Sequence, residues 1–169
     1  MPQESECTFG PLFSGAYTGG QIGNVNFNGT YGGAFVAGTF GFETVTFAGL
    51  AVQNAQVSSV TAAHFTVPNV SGLIGLAFPA LTSEYPGTDP TDDQVKQIIA
   101  YEPIFFKMAD QKLTAPTFSF APDRNGTNGL LALGGVPAVN TTGPTASTPM
   151  LSVSILRIFW KRKMVYVTD

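Results

Sequence analysis

Alternating apolar and polar positions predict β structure in the first half of the chain. From Phe40 to Phe47 the apolar side chains recur at about every second position, and β-branched and aromatic residues dominate the run. Glycines separate such runs, as they do at turns. The pattern predicts a hairpin followed by a strand over residues 31–50 and further strands over 51–65. A shorter run of this kind covers residues 21–27.

A short, almost wholly apolar run covers Leu73 to Phe78. Such a run is typical of a strand buried on both faces. Pro79 is expected to end it, because proline cannot donate a hydrogen bond to a strand ladder. The following residues, 83–91, are rich in turn formers and predict a loop.

An amphipathic pattern predicts helical structure between Asp92 and Lys112. Asp92 or Asp93 is expected to cap its start. The two adjacent carboxylates also resemble a paired acid site, but a helix N-terminus favours acidic residues in any case, so we favour capping. Pro103 interrupts the pattern, which predicts a helix or turn before it and a second short helix after it.

The segment after this helix predicts a second hairpin. Residues 117–121 alternate as a strand, residues 123–129 carry two Asn-Gly pairs of the kind found in tight turns, and residues 130–135 are predicted to form the return strand.

Composition excludes several classes of protein. Charged residues make up 11% of the 169 residues, against about 25% in an ordinary soluble domain, and the net charge is −3. The chain is too apolar to be disordered and too poor in Lys and Arg to hold nucleic acid, and no apolar stretch is long enough to span a membrane. His64 is the only histidine, so neither a His-based triad nor a His metal cluster can form, and we predict no cofactor and no metal. The length suits one domain or a piece of a larger one.

The chain carries signs of the secretory path but no secretory signal. The four Asn-X-Ser/Thr sequons, each a candidate glycan site on a surface loop, begin at Asn28, Asn69, Asn125 and Asn140. The first six residues are polar and acidic, unlike a signal peptide. Cys7 is the single cysteine. It is either a small buried thiol or half of a disulfide whose partner is missing, and the second reading predicts missing upstream sequence.

The last stretch differs from the rest. Residues 156–167 hold four of the eight basic residues and the only tryptophan, Trp160. A membrane-surface or nucleic-acid segment would have this composition, but the abrupt change favours a foreign tail. We therefore predict two parts, residues 1–150 and an atypical basic tail at 151–169.

Four motifs in order resemble pepsin-like (A1) aspartic endopeptidases, especially secreted fungal ones. Tyr31-Gly-Gly-Ala-Phe-Val-Ala-Gly-Thr-Phe-Gly-Phe-Glu-Thr-Val is similar to the family's flap hairpin, and Gly72-Leu-Ile-Gly-Leu-Ala-Phe-Pro to its apolar strand and turn. Phe105 to Leu113 with Phe118-Ser-Phe resembles a helix before a Phe-Ser strand, and Leu131-Ala-Leu-Gly-Gly-Val-Pro resembles a Leu-x-Leu-Gly-Gly strand end. Cys7-Thr-Phe-Gly-Pro is similar to the segment after a small disulfide loop. A free-standing β-sandwich lectin would fit the composition but not this order of motifs.

The resemblance implies an all-β fold, a pepsin-like acid protease N-terminal lobe (an incomplete β-barrel) with one or two short helices. In the family each of two lobes supplies one aspartate from an Asp-Thr/Ser-Gly turn, and the pair activates water against a peptide bond. None of the six aspartates here, Asp89, Asp92, Asp93, Asp110, Asp123 and Asp169, begins such a turn. The first turn is expected upstream of the chain and the second in a missing C-terminal lobe. We therefore predict no catalytic residue and no activity of the chain alone. The alternative is a non-catalytic pseudo-protease that binds peptide or protein.

The resemblance also implies substrate-binding residues and a compartment. Tyr31 is expected to bond and pack against a peptide or protein substrate, although it would equally serve as a half-buried strand tyrosine. Gly32 and Gly33 would offer backbone groups, and Leu73 and Phe65 would line the pocket, with Leu73 favoured as a core residue instead. Gly33 stands where the family often has Asp or Thr, and Ala34 replaces a glycine. The family is secreted or vacuolar.

Overall fold

Our computed structural model describes residues 13, 15–31, 34–64, 72–89, 98–122, 129–139, 145–149 and 163–167. Eight strands and one α-helix lie in these residues: β1 Val25–Tyr31, β2 Ala34–Phe47, β3 Leu50–His64, β4 Glu84–Pro86, α1 Ile104–Asp110, β5 Phe118–Pro122, β6 Gly129–Leu133, β7 Thr145–Pro149 and β8 Lys163–Val167. A single turn of 3-10 helix covers Pro79–Leu81. The predicted all-β class with a short helix is confirmed.

Four antiparallel strands form the main sheet, in the order β3-β2-β1-β4. The long β2–β3 hairpin turns at Ala48 and Gly49, whose φ angles of 51° and 80° are both positive, as a two-residue hairpin turn with right-handed strand twist requires. Two irregularities interrupt this ladder, between Ala37 and Gly38 and between Glu43 and Val45. Bulges of this kind bend a strand and strengthen its twist.

The core of the sheet lies on one face of β1 and β2. Phe27, Val36 and Phe40 form a buried cluster, and Phe40 has no exposed surface. The Phe40 ring meets Phe27 edge-on at a centroid distance of 5.6 Å and Tyr101 at 5.2 Å. Edge-to-face aromatic pairs of this geometry add to the stabilisation from buried area. The segment that contains Tyr101 is thereby fixed against the sheet.

Tyr17 ties the segment before β1 to the two long strands. Its hydroxyl donates to the backbone oxygen of Thr39 at 2.8 Å and accepts from the backbone N–H of Ser59, also at 2.8 Å. Its ring lies over Gly41, where a Cβ would overlap the ring atoms. Glycine at position 41 therefore permits this close approach of an aromatic ring to β2.

Helix α1 begins after Pro103 and packs on β3. Phe105 and Met108 are its buried side chains, and helix contacts in the described residues fall on β3. The helix ends in a Schellman motif: the Leu113 N–H donates to the Met108 oxygen, and Lys112, with a φ of 58°, donates to the Ala109 oxygen. The predicted short helix after Pro103 is confirmed. The predicted capping by Asp92 or Asp93 lies outside the described residues.

The contacts divide the chain into two compact units, residues 1–117 and 118–169. In the second unit β5 pairs with β6 and β7 pairs with β8, all antiparallel. The predicted strands at 117–121 and 130–135 are confirmed by β5 and β6, and the turn between them lies outside the described residues. The predicted boundary at residue 150 stays a prediction. Within the described residues no helix is long and apolar enough to cross a membrane.

The prediction of a buried strand at residues 73–78 is wrong. Residues 72–76 form no strand, and Leu73 and Ile74 remain 57% and 49% exposed. At Gly75 within the run, and at Gly72 just before it, a Cβ would meet no atom within 4 Å, so the run lacks the close neighbours of a core strand. Apolar character alone does not distinguish a buried run from an exposed one. Pro79 begins a turn of 3-10 helix rather than ending a strand.

Candidate functional site

Tyr31 lies at the end of β1, where the β1–β2 hairpin turns. The register of this hairpin runs from Phe27 opposite Gly38 to Tyr31 opposite Ala34. Gly32 and Gly33, which connect the paired positions in the sequence, lie outside the described residues. The tyrosine side chain is 44% exposed. It is both a strand residue and accessible to a ligand.

The ring of Tyr31 lies back over its own strand. A Cβ on Gly29 would stand 3.0 Å from the Tyr31 Cε2 atom and 3.2 Å from its hydroxyl oxygen, so glycine at this position leaves room for the ring. Partial burial, and then the neighbouring Tyr85, raise the pKa of Tyr31 above its ordinary value. The Tyr31 hydroxyl therefore keeps its proton at acidic and neutral pH and can donate a hydrogen bond throughout that range.

Four titratable side chains interact electrostatically in pairs, Tyr31 with Tyr85 and Tyr101 with Tyr31 and Glu84, and we call them the Glu84 cluster. Burial raises the pKa of Tyr101 to about 12, and the nearby Tyr31 and Glu84 contribute to the shift. Glu84 is only 5% exposed, and burial raises the pKa of its carboxyl group. No motif or periodicity in the sequence indicates a role for Glu84, Tyr85 or Tyr101.

Gln56 is the hydrogen-bond donor to this cluster. Its Nε2 atom lies 2.6 Å from the Glu84 Oε2 atom, and this bond partly offsets the effect of burial on the pKa of Glu84. Gln56 belongs to β3 and Glu84 to β4, so the bond joins strands that are not neighbours in the sheet. No sequence signal indicates it, because the two residues lie 28 positions apart in different predicted elements.

Glu43, in β2, is a second carboxylate with specific hydrogen-bond partners. The backbone N–H and the hydroxyl of Thr18 donate to its two oxygens at 2.6 and 2.5 Å. These hydrogen bonds, the hydroxyl first, lower the pKa of Glu43. Because they stabilise the ionised form, Glu43 fastens the N-terminal segment to β2 as a carboxylate.

The other predicted site residues fall in different places. Leu73 is exposed, so the prediction that it belongs to the core is wrong, and its role in a pocket stays a prediction. His64 is an exposed residue at the end of β3. Phe65 and Cys7 lie outside the described residues, as do the sequons at Asn69, Asn125 and Asn140.

Asn28 does not lie on a surface loop, contrary to the sequence prediction for the sequons. It is a partly buried residue within β1, opposite Ala37 of β2, and its N–H donates to the Ser83 oxygen at 3.2 Å. Its side chain therefore projects from a partly buried face of the sheet rather than from a loop.

The described residues contain no pair of aspartates that could share a proton. Asp110 ends α1 and Asp89 is exposed beyond β4, while the other four aspartates lie outside the described part. That part also contains no group of three or more His, Cys, Asp or Glu side chains placed to hold a metal ion. An antiparallel sheet around one apolar core, with a hairpin that ends in an exposed tyrosine, is the architecture of a pepsin-like acid protease lobe.

Comparison with known proteins identifies the family. The model of the eukaryotic aspartyl protease family matches residues 2–168, so the chain belongs to that family. A probable aspartic-type endopeptidase of Aspergillus fumigatus is 34% identical over 157 residues, which cover 90% of this chain and 34% of that protein. Chymosin of Camelus dromedarius is 30% identical over 142 residues, 82% of this chain and 32% of chymosin. The chain thus spans about a third of the length of these relatives.

A solved structure supports the fold. The aspartic proteinase from Irpex lacteus superposes with a TM-score of 0.64 at 22% identity, over 85% of this chain and 42% of that one. The resemblance to pepsin-like aspartic endopeptidases is therefore confirmed, and the lectin alternative is wrong. The family match also runs through the basic segment at 151–168, and the separate origin of that segment stays a prediction.

Proposed function

We propose that this chain is the hairpin-bearing part of the N-terminal lobe of a secreted or vacuolar aspartic endopeptidase. In the complete protein, this lobe would hold a peptide substrate under the β1–β2 hairpin while an aspartate pair, one from each lobe, hydrolyses an internal peptide bond at acidic pH. The observation that carries the proposal is Tyr31: it is 44% exposed, at the hairpin end, in a chain matched by the aspartyl protease family.

The chemistry of Tyr31 suits this role. Its phenol is protonated over the acidic range, so it can donate a hydrogen bond to a peptide carbonyl, and its ring offers apolar contact. Closing a hairpin over a bound peptide excludes water and orients the scissile bond. Gly32, Gly33, Leu73 and Phe65 are the further residues that we propose to line this site.

We also propose that the chain alone does not cleave peptides. None of its aspartates begins an Asp-Thr-Gly or Asp-Ser-Gly sequence, so no residue can act as the water-activating carboxylate. The purified chain should release no product from a peptide library at about pH 4, where the family chemistry is expected to operate. Cleavage that a transition-state peptide inhibitor blocks would refute this part of the proposal.

Binding can be tested without cleavage. The probe is an apolar octapeptide in which a secondary alcohol replaces one amide, as a mimic of the hydrated transition state. Tyr31→Ala should weaken its binding on the order of tenfold, as expected for an aromatic anchor. Tyr31→Phe should cost less, since it keeps the ring. Phe120→Ala is the matched control, because Phe120 is also an exposed aromatic residue, 63% exposed, in the other compact unit. Equal losses for Tyr31→Ala and Phe120→Ala would contradict a role for Tyr31.

The same lack of catalytic motifs favours a second candidate, a non-catalytic peptide- or protein-binding protein on the protease scaffold. The two candidates predict different flanking gene sequence. An in-frame Asp-Thr-Gly upstream and an Asp-Ser/Thr-Gly downstream would support the protease, and stop codons on both sides would support the pseudo-protease.

A further inference from the structure

Gly29 lies inside β1, where glycine normally weakens a strand. It stands opposite Val36 of β2 in the hairpin register, two positions before Tyr31. Its φ angle does not lie in the positive, left-handed region that favours glycine, so the backbone at this position would accept any residue. A glycine in a strand interior costs conformational entropy and offers no side chain for packing. The reason for glycine here must therefore lie in the space beside it.

That space is filled by the ring of Tyr31. The three atoms nearest to a Cβ at position 29 are all Tyr31 ring-end atoms: Cε2 at 3.0 Å, the hydroxyl oxygen at 3.2 Å and Cζ at 3.3 Å. The nearest obstacles at two other strand glycines are different. A Cβ at Gly38 would overlap the Ser59 backbone, and a Cβ at Gly41 would overlap the Tyr17 ring. Of these three glycines, Gly29 is the one that makes room for the hairpin tyrosine.

The ring rests on the core face of the sheet. Alternate residues of a strand project to the same face, so Tyr31 and Gly29 share a face with Phe27, which belongs to the buried cluster with Val36. Gly29 is itself buried, although Tyr31 remains 44% exposed. Part of the tyrosine side chain is thus packed over the strand, and the rest is accessible to a ligand.

We propose that Gly29 is a positioning residue for Tyr31: the missing side chain forms a seat that holds the tyrosine ring against β1 and fixes the direction in which its hydroxyl and its exposed surface meet a bound peptide. The inference rests on the proposed function of the Tyr31 hairpin in peptide binding, and it names a residue that acts on the peptide through Tyr31.

The seat favours binding because it orders the tyrosine before the peptide arrives. Immobilising a free side chain on binding costs conformational entropy, and a ring that is already seated in the free protein does not incur that cost again. Gly29→Ala requires the ring to shift by only a few tenths of an ångström. Gly29→Val adds two further methyl carbons in the space of the ring, so it should displace the ring altogether. The effect on binding should therefore grow from alanine to valine.

The first test needs no ligand. Three-bond NMR couplings from the backbone nitrogen and carbonyl carbon of Tyr31 to its Cγ atom report the χ1 rotamer of the side chain. The native 169-residue chain should give the values of a single staggered rotamer. Gly29→Val should give the values of another rotamer or an average over several. Identical couplings in the two proteins, or averaged couplings in the native chain, would overturn the seat.

The second test measures binding of the alcohol-containing octapeptide at about pH 4. Gly29→Val should weaken binding about two- to tenfold, the factor expected for ordering one side chain, and Gly29→Ala should weaken it less. Both proteins keep the phenol, so the loss reports its position. In a Tyr31→Ala background, Gly29→Val should cause no further loss, because no ring remains to be displaced. Equal losses with and without the Tyr31 side chain would show a general effect on the strand and overturn the proposal.

The matched control is Thr30→Val, which adds the same side chain at the next position of β1. Thr30 is exposed on the other face of the strand, opposite Phe35, so the couplings and the affinity should stay at their native values, and a loss equal to that of Gly29→Val would overturn the seat. If Gly29→Val does not fold, Gly29→Ala decides by the same comparison with and without Tyr31. If the native chain does not bind the octapeptide, the proposed function fails, and the couplings alone decide whether Gly29 seats the ring.

Discussion

At the scale of single residues, Gly41 shows how closely the N-terminal segment is packed against β2. The Tyr17 ring occupies the space that a side chain at position 41 would need, and the hydroxyl bonds to Thr39 and Ser59 prevent the ring from moving away. We expect Gly41→Ala to lower the free energy of unfolding by about 1–3 kcal/mol, the usual cost of overpacking. Thermal unfolding measures this loss. Gly23→Ala is the control, since a Cβ at Gly23 would meet no atom within 4 Å, and a loss of equal size there would contradict the explanation.

The position of Asn28 in the structure predicts that its sequon is not glycosylated. Its side chain is partly buried in a strand that pairs with β2, and its backbone N–H donates a hydrogen bond to the Ser83 oxygen just before β4. A glycan there would separate these elements. After expression in a secreting fungal host, glycopeptide mass spectrometry should therefore find Asn28 unmodified, while any occupied sequons are among the other three. A fully occupied Asn28 in folded protein would contradict the structure of this region.

The sequence could identify Tyr31 but not its surroundings. Tyr31 begins a long motif with glycines at fixed positions, which is visible in one continuous stretch of sequence. Glu84, Gln56 and Tyr101 come from three separate segments, and each resembles an ordinary polar surface residue when taken alone. The folded chain brings them together, and no periodicity in the sequence indicates contacts between segments so far apart.

At the scale of elements, a substitution at the C-terminal end of α1 is expected to make the fold more stable. Lys112 has a φ of 58° at the position where Schellman motifs prefer glycine. Lys112→Gly should raise the free energy of unfolding by about 0.5–1 kcal/mol, because it relieves the left-handed conformation of a residue with a side chain. Chemical denaturation measures the gain. Ala109→Gly, inside the same helix, should instead cost about 1 kcal/mol, and a gain at both positions would contradict the cap explanation.

The elements that the sequence predicts correctly are those with a strong period. The alternation from Phe40 to Phe47 lies within β2, and the Phe-Ser-Phe segment lies within β5. The predicted strand at residues 73–78, which the structure does not show, rested on apolar character alone, because that run has no alternation of apolar and polar residues. There the chain leaves Leu73 exposed instead of burying it in a strand, which a composition argument cannot detect.

At the scale of the whole molecule, the stability of the fold depends on pH through two carboxyl groups, Glu43 and Glu84, whose effects have opposite signs. Thr18 lowers the pKa of Glu43, so the stabilisation from Glu43 is present above its ordinary pKa and is lost as the pH falls through its folded pKa. Burial raises the pKa of Glu84, so the stabilisation from its neutral form is present below its ordinary pKa and is lost as the pH rises through its folded pKa. Stability should therefore reach a maximum at mildly acidic pH. In urea unfolding curves at a series of pH values, Glu43→Gln should flatten only the acidic side of this maximum, and a change on the neutral side would contradict the assignment.

The family was predictable from the sequence because motifs that are individually weak occur in a fixed order. The flap-like segment, the helix before Phe118 and the Leu-Gly-Gly strand end span most of the chain, and the family match covers residues 2–168. The division of contacts at Thr117 was not predicted. This division depends on which strands pair with each other, and the sequence of one strand does not determine its partner.

The pairing of Gln111 with β3 has a consequence for the association of this protein with other copies of itself. Its side-chain amide accepts from the Gln53 N–H at 3.0 Å and donates to the Gln53 oxygen at 2.7 Å, so it imitates one residue of an adjacent strand. β3 is an outer strand of the sheet, and unpaired backbone groups along an outer strand recruit foreign strands into intermolecular sheets. By occupying both groups of Gln53, the residue that follows α1 interrupts that template near the start of the longest strand, so we expect Gln111 to hinder the pairing of a foreign strand there.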